Sequence, residues 1–377
     1  MKLRFLISAL LIWQVIISAG TWLSVRNLPL RDKFFGGMEL AGPLDPNPFL
    51  RNPILYARAN FDGVHYVNLA KGSSFGLSQE VFFPFYIKLL SLLGPVFKNY
   101  NSAGVFISLA SFAAGSYILL RLLQLDFSWP VVKWTYLALL LFPTAFYFSF
   151  VYTEGLFFFL SVACFYFART GRWWLAGLVG ALACYTRITG ILLFPALLIE
   201  YFSAPARKFS SLLAVCLVPV GLAVFMLQLS HTFHDPLAFI HAQSDFFQGR
   251  TDHLVLLPQV FWRYLKIFLS FNPSDPLLFT LLLEFFTALV FLVLNLLSLF
   301  RLRFSYIFFS FAAFLLPPLT GSFTSLPRYV LAGFPVFILL GSSLSRARTV
   351  NRVIYISLSL FLGLFFLSLF VRGYWVS

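Results

Sequence analysis

Charge is what this sequence has least of. Only 11% of its 377 residues are Asp, Glu, Lys or Arg, against roughly a quarter in a soluble globular chain. That excludes an ordinary water-soluble domain. The 60% hydrophobic content and a mean hydropathy of +0.87 place the chain in a membrane instead. Acid is scarcer than base, with 13 Asp and Glu against 27 Lys and Arg. A net charge of +14 on a soluble protein would suggest nucleic acid. Here the basic residues fall in short clusters between apolar runs, as cytoplasmic loops between spans do, and no nucleic-acid partner is expected. Cysteine is almost absent. Cys164, Cys184 and Cys216 sit inside apolar runs at unrelated spacings, which leaves them as small core residues and excludes a disulfide framework. No Asp-x-Asp pair occurs, and His234 and His241 are badly spaced for a shared ion. No metal and no cofactor are expected.

What the chain has in abundance is apolar runs. A span needs ~20 such residues to cross ~30 Å of hydrocarbon. Runs at 4–23, 102–123, 131–150, 154–169, 209–230, 277–300, 304–320, 328–345 and 352–371 predict spans. Ser18-Ala19-Gly20 could be a cleavage site, but the first run continues to Leu23 and reads as an uncleaved helix. Two stretches are ambiguous: 81–98, interrupted by Pro84, Lys88 and Pro95, and 173–202, with Arg187 near its middle. The positive-inside rule resolves both. If 81–98 lies along the interface and 173–202 is a pair of short helices meeting near Arg187, the basic clusters all face inward. These run from Lys2 and Arg4 through Arg169, Arg172, Arg207, Lys208, Arg301 and Arg303 to Arg346, Arg348 and Arg352.

The expected architecture is an all-α, polytopic integral membrane protein, one domain over 1–377, with about 9–11 transmembrane helices. Two external segments are long. Residues 24–101 carry interfacial helices. Residues 231–276 include Trp262, Tyr264 and Phe268 beside Arg263 and Lys266, a pattern suited to the headgroup region. Under this topology nearly all acids are external, with Glu284 about two turns into its helix, and only Asp126 and Glu200 face inward. Acids carry little topological weight, so their gathering is an independent sign that the chemistry faces outward.

The stretch 58–88 is a polar island holding Asp62, His65 and Glu80 among aromatics. Asp62, in an Asp-Gly pair, is either a turn or cap residue or a general base held close to the bilayer. Glu80 reads as a cap or interfacial charge. Glu154, in a short join between apolar helices, either suits the helix dipole or faces a cavity. Arg187 and Arg328 lie on the external side, against the positive-inside trend. Each either snorkels to the headgroups or binds an anion, and a bidentate guanidinium suits phosphate. His234, Asp235, Gln243, Asp245 and Arg250 form a further polar run.

Several segments, in order, resemble one family. They are Phe61-Asp62-Gly63-Val64-His65-Tyr66, then Phe82-Phe83-Pro84-Phe85-Tyr86, then Phe142-Pro143-Thr144-Ala145-Phe146 through Tyr152-Thr153-Glu154. Thr186-Arg187-Ile188-Thr189-Gly190 follows, then His234-Asp235-Pro236-Leu237-Ala238-Phe239 with Gln243, and Pro327-Arg328-Tyr329 with Phe334-Pro335. Together they resemble the PIG-V-type mannosyltransferases of the GT-C superfamily of polytopic glycosyltransferases, over about 58–340. Lys88 departs from the pattern where a second proline is expected.

The resemblance implies a GT-C-type helical bundle with its catalytic acid in the first external loop, here Asp62. It implies a sugar, mannose in that family, carried on polyprenyl or dolichyl phosphate and transferred with inversion on the non-cytoplasmic face. Arg187 and Arg328 would hold the donor phosphate. His65, Glu80, Tyr152, Glu154, His234, Asp235 and Gln243 would bind substrate, and the aromatics of 82–86 and 262–268 would guide the prenyl chain. The acceptor would be a lipid-linked molecule or a glycan, with membrane lipids and an accessory subunit as further partners. Eukaryotic members of the family build the GPI anchor in the endoplasmic reticulum. The compactness of this chain favours a prokaryotic cell (inner) membrane. The rival class is a lipid or glycolipid transporter or flippase, which would place substrate groups near the midplane between repeated halves, and no such repeat is found.

Overall fold

A computed structural model describes residues 2–32, 34, 52–73, 79–205, 207–242, 251 and 253–376. Among the described residues there are helices and turns and no strand. Apart from shorter turns, the helices are α1 (Lys2–Asn27), α2 (Asp62–Ala70), α3 (Pro84–Val96), α4 (Tyr100–Leu123), α5 (Trp129–Leu140), α6 (Glu154–Arg169), α7 (Trp173–Cys184) and α8 (Leu193–Ser203). They continue as α9 (Phe209–Phe233), α10 (Leu257–Ser270), α11 (Leu277–Ser298), α12 (Phe304–Leu315), α13 (Leu326–Tyr329), α14 (Phe334–Arg346) and α15 (Thr349–Val371).

The protein is a multi-pass helical membrane protein. Among the described residues five helices, α1, α4, α9, α11 and α15, are long and apolar enough to cross a membrane. A sixth crossing is possible if the bent pair Leu326–Ala332 and Phe334–Arg346 is counted as one. This is fewer full-length crossings than the 9–11 expected, because several apolar runs are broken part-way. The run 131–150 does not form one helix: α5 ends at Leu140, just before Phe142-Pro143, and a 3-10 turn occupies Ala145–Ser149. Proline cannot donate to the helix and disfavours helical geometry at the residue before it. The run 328–345 is likewise broken, bending by 83° where Gly333 (φ −74°, ψ 44°) precedes Phe334-Pro335. Proline in the first turn then starts α14, where no intrahelical donor is required. The stretch 173–202 forms two short helices, with Arg187 extended (φ −157°, ψ 149°) between them. The 81–98 stretch contains a 13-residue helix, α3, about 20 Å long at 1.5 Å per residue.

The breaks have a common destination. Thr186 to Thr189 from the α7 break, Leu316 and Pro317 after α12, Arg328 and Tyr329 of α13, and Thr153 with Glu154 at the start of α6 all line one cavity. Irregular backbone at membrane depth is tolerated where it lines such a space or is buried in protein.

Close helix packing frames that cavity. α4 lies along α6, and α5 along α14. Gly155, the second residue of α6, sits so near α4 that a Cβ there would lie 2.4 Å from the Ser108 carbonyl oxygen. Small residues permit this kind of approach between membrane helices. The Phe112 and Phe148 rings stack 4.2 Å apart beside this contact. Of the three cysteines, Cys164 and Cys184 are core residues as expected, whereas Cys216 is exposed on α9.

Candidate functional site

Asp62 begins α2, and its placement is built by its neighbours. Phe61 adopts a left-handed φ of 58°, costly for an aromatic residue and held only when the surroundings over-determine it. They do: its ring packs against Phe34, Phe370 and Trp375. The buried Asn60 side chain donates to the Phe370 carbonyl at 2.8 Å, and the Tyr152 hydroxyl donates to the Asn60 carbonyl at 2.7 Å. The α2 N-terminus is thus tied to the C-terminal helix and to the segment before α6.

From that anchor the Asp62 carboxylate accepts a hydrogen bond from Arg328 Nη1 at 2.6 Å. It makes no cap bond, so the turn-or-cap reading of Asp62 is incomplete. Arg328 Nε lies 3.2 Å from Glu154 Oε1, an ion-pair distance, although its N–H does not point well enough for a hydrogen bond. Arg187 Nη1 donates to the same Glu154 oxygen at 2.6 Å and to the Thr153 hydroxyl at 3.2 Å. Glu154 sits in the first turn of α6, where the helix dipole favours an acid, so both readings of it apply. The result is an alternating chain, Asp62–Arg328–Glu154–Arg187, with balanced formal charge. Desolvated charges need such pairing. Aromatic rings hold the cations: Tyr329 lies 4.8 Å from the Arg187 guanidinium and 5.3 Å from that of Arg328. Tyr147 and Tyr152 flank Arg328 from behind.

All four charged residues line a cavity of about 320 Å³. Its remaining wall is largely apolar, from Val81, Phe82, Phe83, Phe239, Ile240, Leu316 and Pro317, with Tyr66, Thr153, Thr186, Thr189 and Thr320 as polar additions. Glu154 Oε2 and the Thr189 hydroxyl are buried there without a hydrogen-bond partner. The arrangement offers two cations for an anion, two carboxylates for hydroxyl groups or a proton, and an apolar flank. Among the described residues no three His, Cys, Asp or Glu side chains gather as a metal cluster would.

The other expected substrate-binding residues lie elsewhere. His65, one turn after Asp62, stacks its ring on Phe82 at 5.1 Å and stays outside the lining. Burial lowers its pKa below the ordinary value of 6.5, with the nearby Asp62 charge opposing. Tyr152 is fully buried behind the cavity and supports Asn60 and Arg328. Glu80 lies in the turn Gln79–Val81, whose neighbours Val81 and Phe82 reach the cavity while it does not. His234 is a left-handed C-cap on α9, outside the cavity lining. Asp235 pairs with His241 Nδ1 at 2.6 Å and accepts from the Leu237 N–H. Those two bonds hold the exposed Asp235 carboxyl below the usual carboxylate range. What that segment gives the cavity is Phe239 and Ile240. Gln243 lies outside the described residues. Of the aromatic groups, Phe82 and Phe83 reach the cavity. Tyr86 instead bonds to the Gly104 carbonyl and Ser108, and Trp262, Tyr264 and Phe268 sit on α10 away from it.

Sequence reasoning passed over Tyr66 and the threonines. Tyr66 was discoverable, being four residues after Asp62 and so on the same helix face. Thr153, Thr186 and Thr189 lay inside the segments quoted above without being given a role, and Thr320 carried no signal.

These features define a class, a multi-pass helical membrane protein with a buried two-acid, two-arginine cavity where its helices break. The chain matches no family model, no curated protein and no solved structure.

Proposed function

We propose that this protein is an inverting membrane glycosyltransferase that uses a polyprenyl- or dolichyl-phosphate sugar, in keeping with the resemblance to PIG-V-type mannosyltransferases. The observation that carries the reading is the meeting of Asp62, Glu154, Arg187 and Arg328 around one cavity with an apolar flank. A lipid-phosphate sugar presents a phosphate, hydroxyls and an apolar chain, and each finds a counterpart there.

In the proposed step the acceptor hydroxyl oxygen attacks the anomeric carbon as the bond from that carbon to the phosphate oxygen breaks. Asp62 takes the hydroxyl proton, and the lipid phosphate leaves with the bonding electrons from the opposite face. Arg187 and Arg328 stabilise the charge that develops on the phosphate. A phosphate between the two guanidiniums competes with Asp62 and Glu154 for their N–H donors, which returns a carboxylate oxygen to the acceptor hydroxyl. Glu154 and Thr189 take sugar hydroxyls. The basic clusters at the opposite helix ends support a non-cytoplasmic site through the positive-inside rule.

The test is transfer from a labelled polyprenyl-phosphate sugar in membranes carrying Asp62→Asn. Transfer falls by about a hundredfold or more, the usual contribution of a general base, while free lipid phosphate ceases to appear. Near-normal transfer by a correctly inserted variant overturns the assignment. Movement of the sugar across the membrane still attached to its lipid identifies a flippase instead.

A further inference from the structure

Glu284 is a buried carboxylate in a membrane-spanning helix, and the proposed chemistry leaves it without a task. It lies on α11 at 2% exposure and outside the cavity lining. A carboxylate at such depth is costly and marks a specific partner. Its Oε2 accepts from the Tyr264 hydroxyl of α10 at 2.5 Å, and its Oε1 accepts from the Ser325 backbone N–H at 3.3 Å. Ser325 is buried in a left-handed conformation (φ 68°) and immediately precedes α13. Its carbonyl accepts the N–H groups of both Arg328 and Tyr329. Across the turn, the Thr144 hydroxyl donates to the Pro327 carbonyl at 2.6 Å. A non-glycine residue with positive φ persists only where neighbours enforce it.

We infer that Glu284 is a positioning residue: by fixing the Ser325 turn it aims the Arg328 guanidinium at Asp62 and the cavity, with Tyr264 holding Glu284 in place. Arg328 follows Ser325 by a single helical turn, so rotation of that turn carries the guanidinium off Asp62. The phosphate arm of the test rests on the proposed function; the positioning arm does not.

The test compares the purified full-length chain in nanodiscs with Glu284→Ala, Glu284→Gln and Tyr264→Phe. Hydrogen exchange of the backbone over 322–330 is measured, together with binding of farnesyl phosphate and of farnesol. Glu284→Ala speeds exchange of that segment about tenfold or more, with α4 and α15 unchanged, and weakens farnesyl phosphate binding about tenfold, the scale of one lost hydrogen bond to a charged group. Farnesol binding stays as in the wild type, because only the phosphate senses Arg328. Glu284→Gln restores most of both signals, since its carbonyl can accept from Ser325 while its amide donates to Tyr264. Tyr264→Phe, which keeps the shape of the core, gives a smaller change of the same sign. Unchanged exchange over 322–330 in Glu284→Ala overturns the inference, as does equal loss of farnesyl phosphate and farnesol binding. If the wild type binds no farnesyl phosphate, the lipid-phosphate reading falls, and the exchange result alone decides the role of Glu284.

Discussion

The two ends of α6 carry the same inventory of charge and do different things with it. At its N-terminus Glu154 joins Asp62, Arg187 and Arg328. At its C-terminus, about 24 Å away at 1.5 Å per residue, Arg169 joins Asp126, Glu200 and Arg303. In the second group every carboxylate oxygen accepts a hydrogen bond, although Arg303 Nε makes none. Asp126 receives two bonds from Arg169, at 2.6 and 2.8 Å, and Glu200 receives Arg303 at 2.8 Å and the Ser305 hydroxyl at 2.6 Å. The Tyr306 hydroxyl completes the surroundings of Arg169. In the first group Glu154 Oε2 has no partner, and the charges face a cavity. Charge content therefore does not separate a site from a brace. An unpartnered carboxylate oxygen beside a cavity does.

The largest effects follow from breaking that contrast at its centre. Asp62→Asn lowers transfer from a labelled lipid-phosphate sugar by about a hundredfold or more. Asp126→Asn, its counterpart at the other end, leaves transfer within about threefold, on the scale of a partly exposed pair. Equal losses in the two variants would erase the distinction between the ends. Stability reverses less sharply. Arg328→Ala strands the buried Asp62 carboxylate, while Glu154 keeps Arg187, and costs about 3–5 kcal/mol, read as a lower melting temperature in detergent. Asp126→Ala, at a more exposed pair, costs about 1 kcal/mol or less. A mutation without charge sharpens the comparison further. Gly155→Ala drives a methyl into the Ser108 carbonyl, costs about 1–3 kcal/mol as overpacking, and lowers transfer because Glu154 shifts with it.

The smallest effect is a pH slope. Burial depresses the His65 pKa, so between that lowered value and about 6.5 the unfolded chain binds the proton that the folded chain refuses. Stability therefore rises with pH across this window, and the contribution is lost as pH falls through it. His65→Phe flattens the slope, measured as the melting difference between pH 5 and pH 7.

Much of this arrangement was legible in the sequence because a membrane makes anomalies conspicuous. Asp62, Glu154, Arg187 and Arg328 were selected as charges out of place, and all four reached one cavity. The membrane-helical class followed from hydropathy alone. The break at Arg187 followed from counting cations on each side. What the sequence hid was angle and reach. Nothing in 328–345 announces an 83° bend, since Gly and Pro are common in membrane helices and many are tolerated without a break. His65, Tyr152 and Asp235 are polar residues beside the right motifs, yet they face stacking partners, backbone carbonyls or a neighbouring histidine. Polarity marked the neighbourhood correctly and could not say which way each side chain points.

The short helices around Arg187 bear on how the chain enters a membrane at all. α7 has 12 residues and α8 has 11, each well short of the ~20 that a solitary span requires. Between them lies an arginine, a residue costly to bring into a bilayer. Glu154 leaves the ribosome 33 residues before Arg187, the separation of their pair in sequence. The acid of the cavity is therefore already synthesised when the hairpin of α7 and α8 follows, and the pair that shapes the site also offsets the cost of burying that arginine.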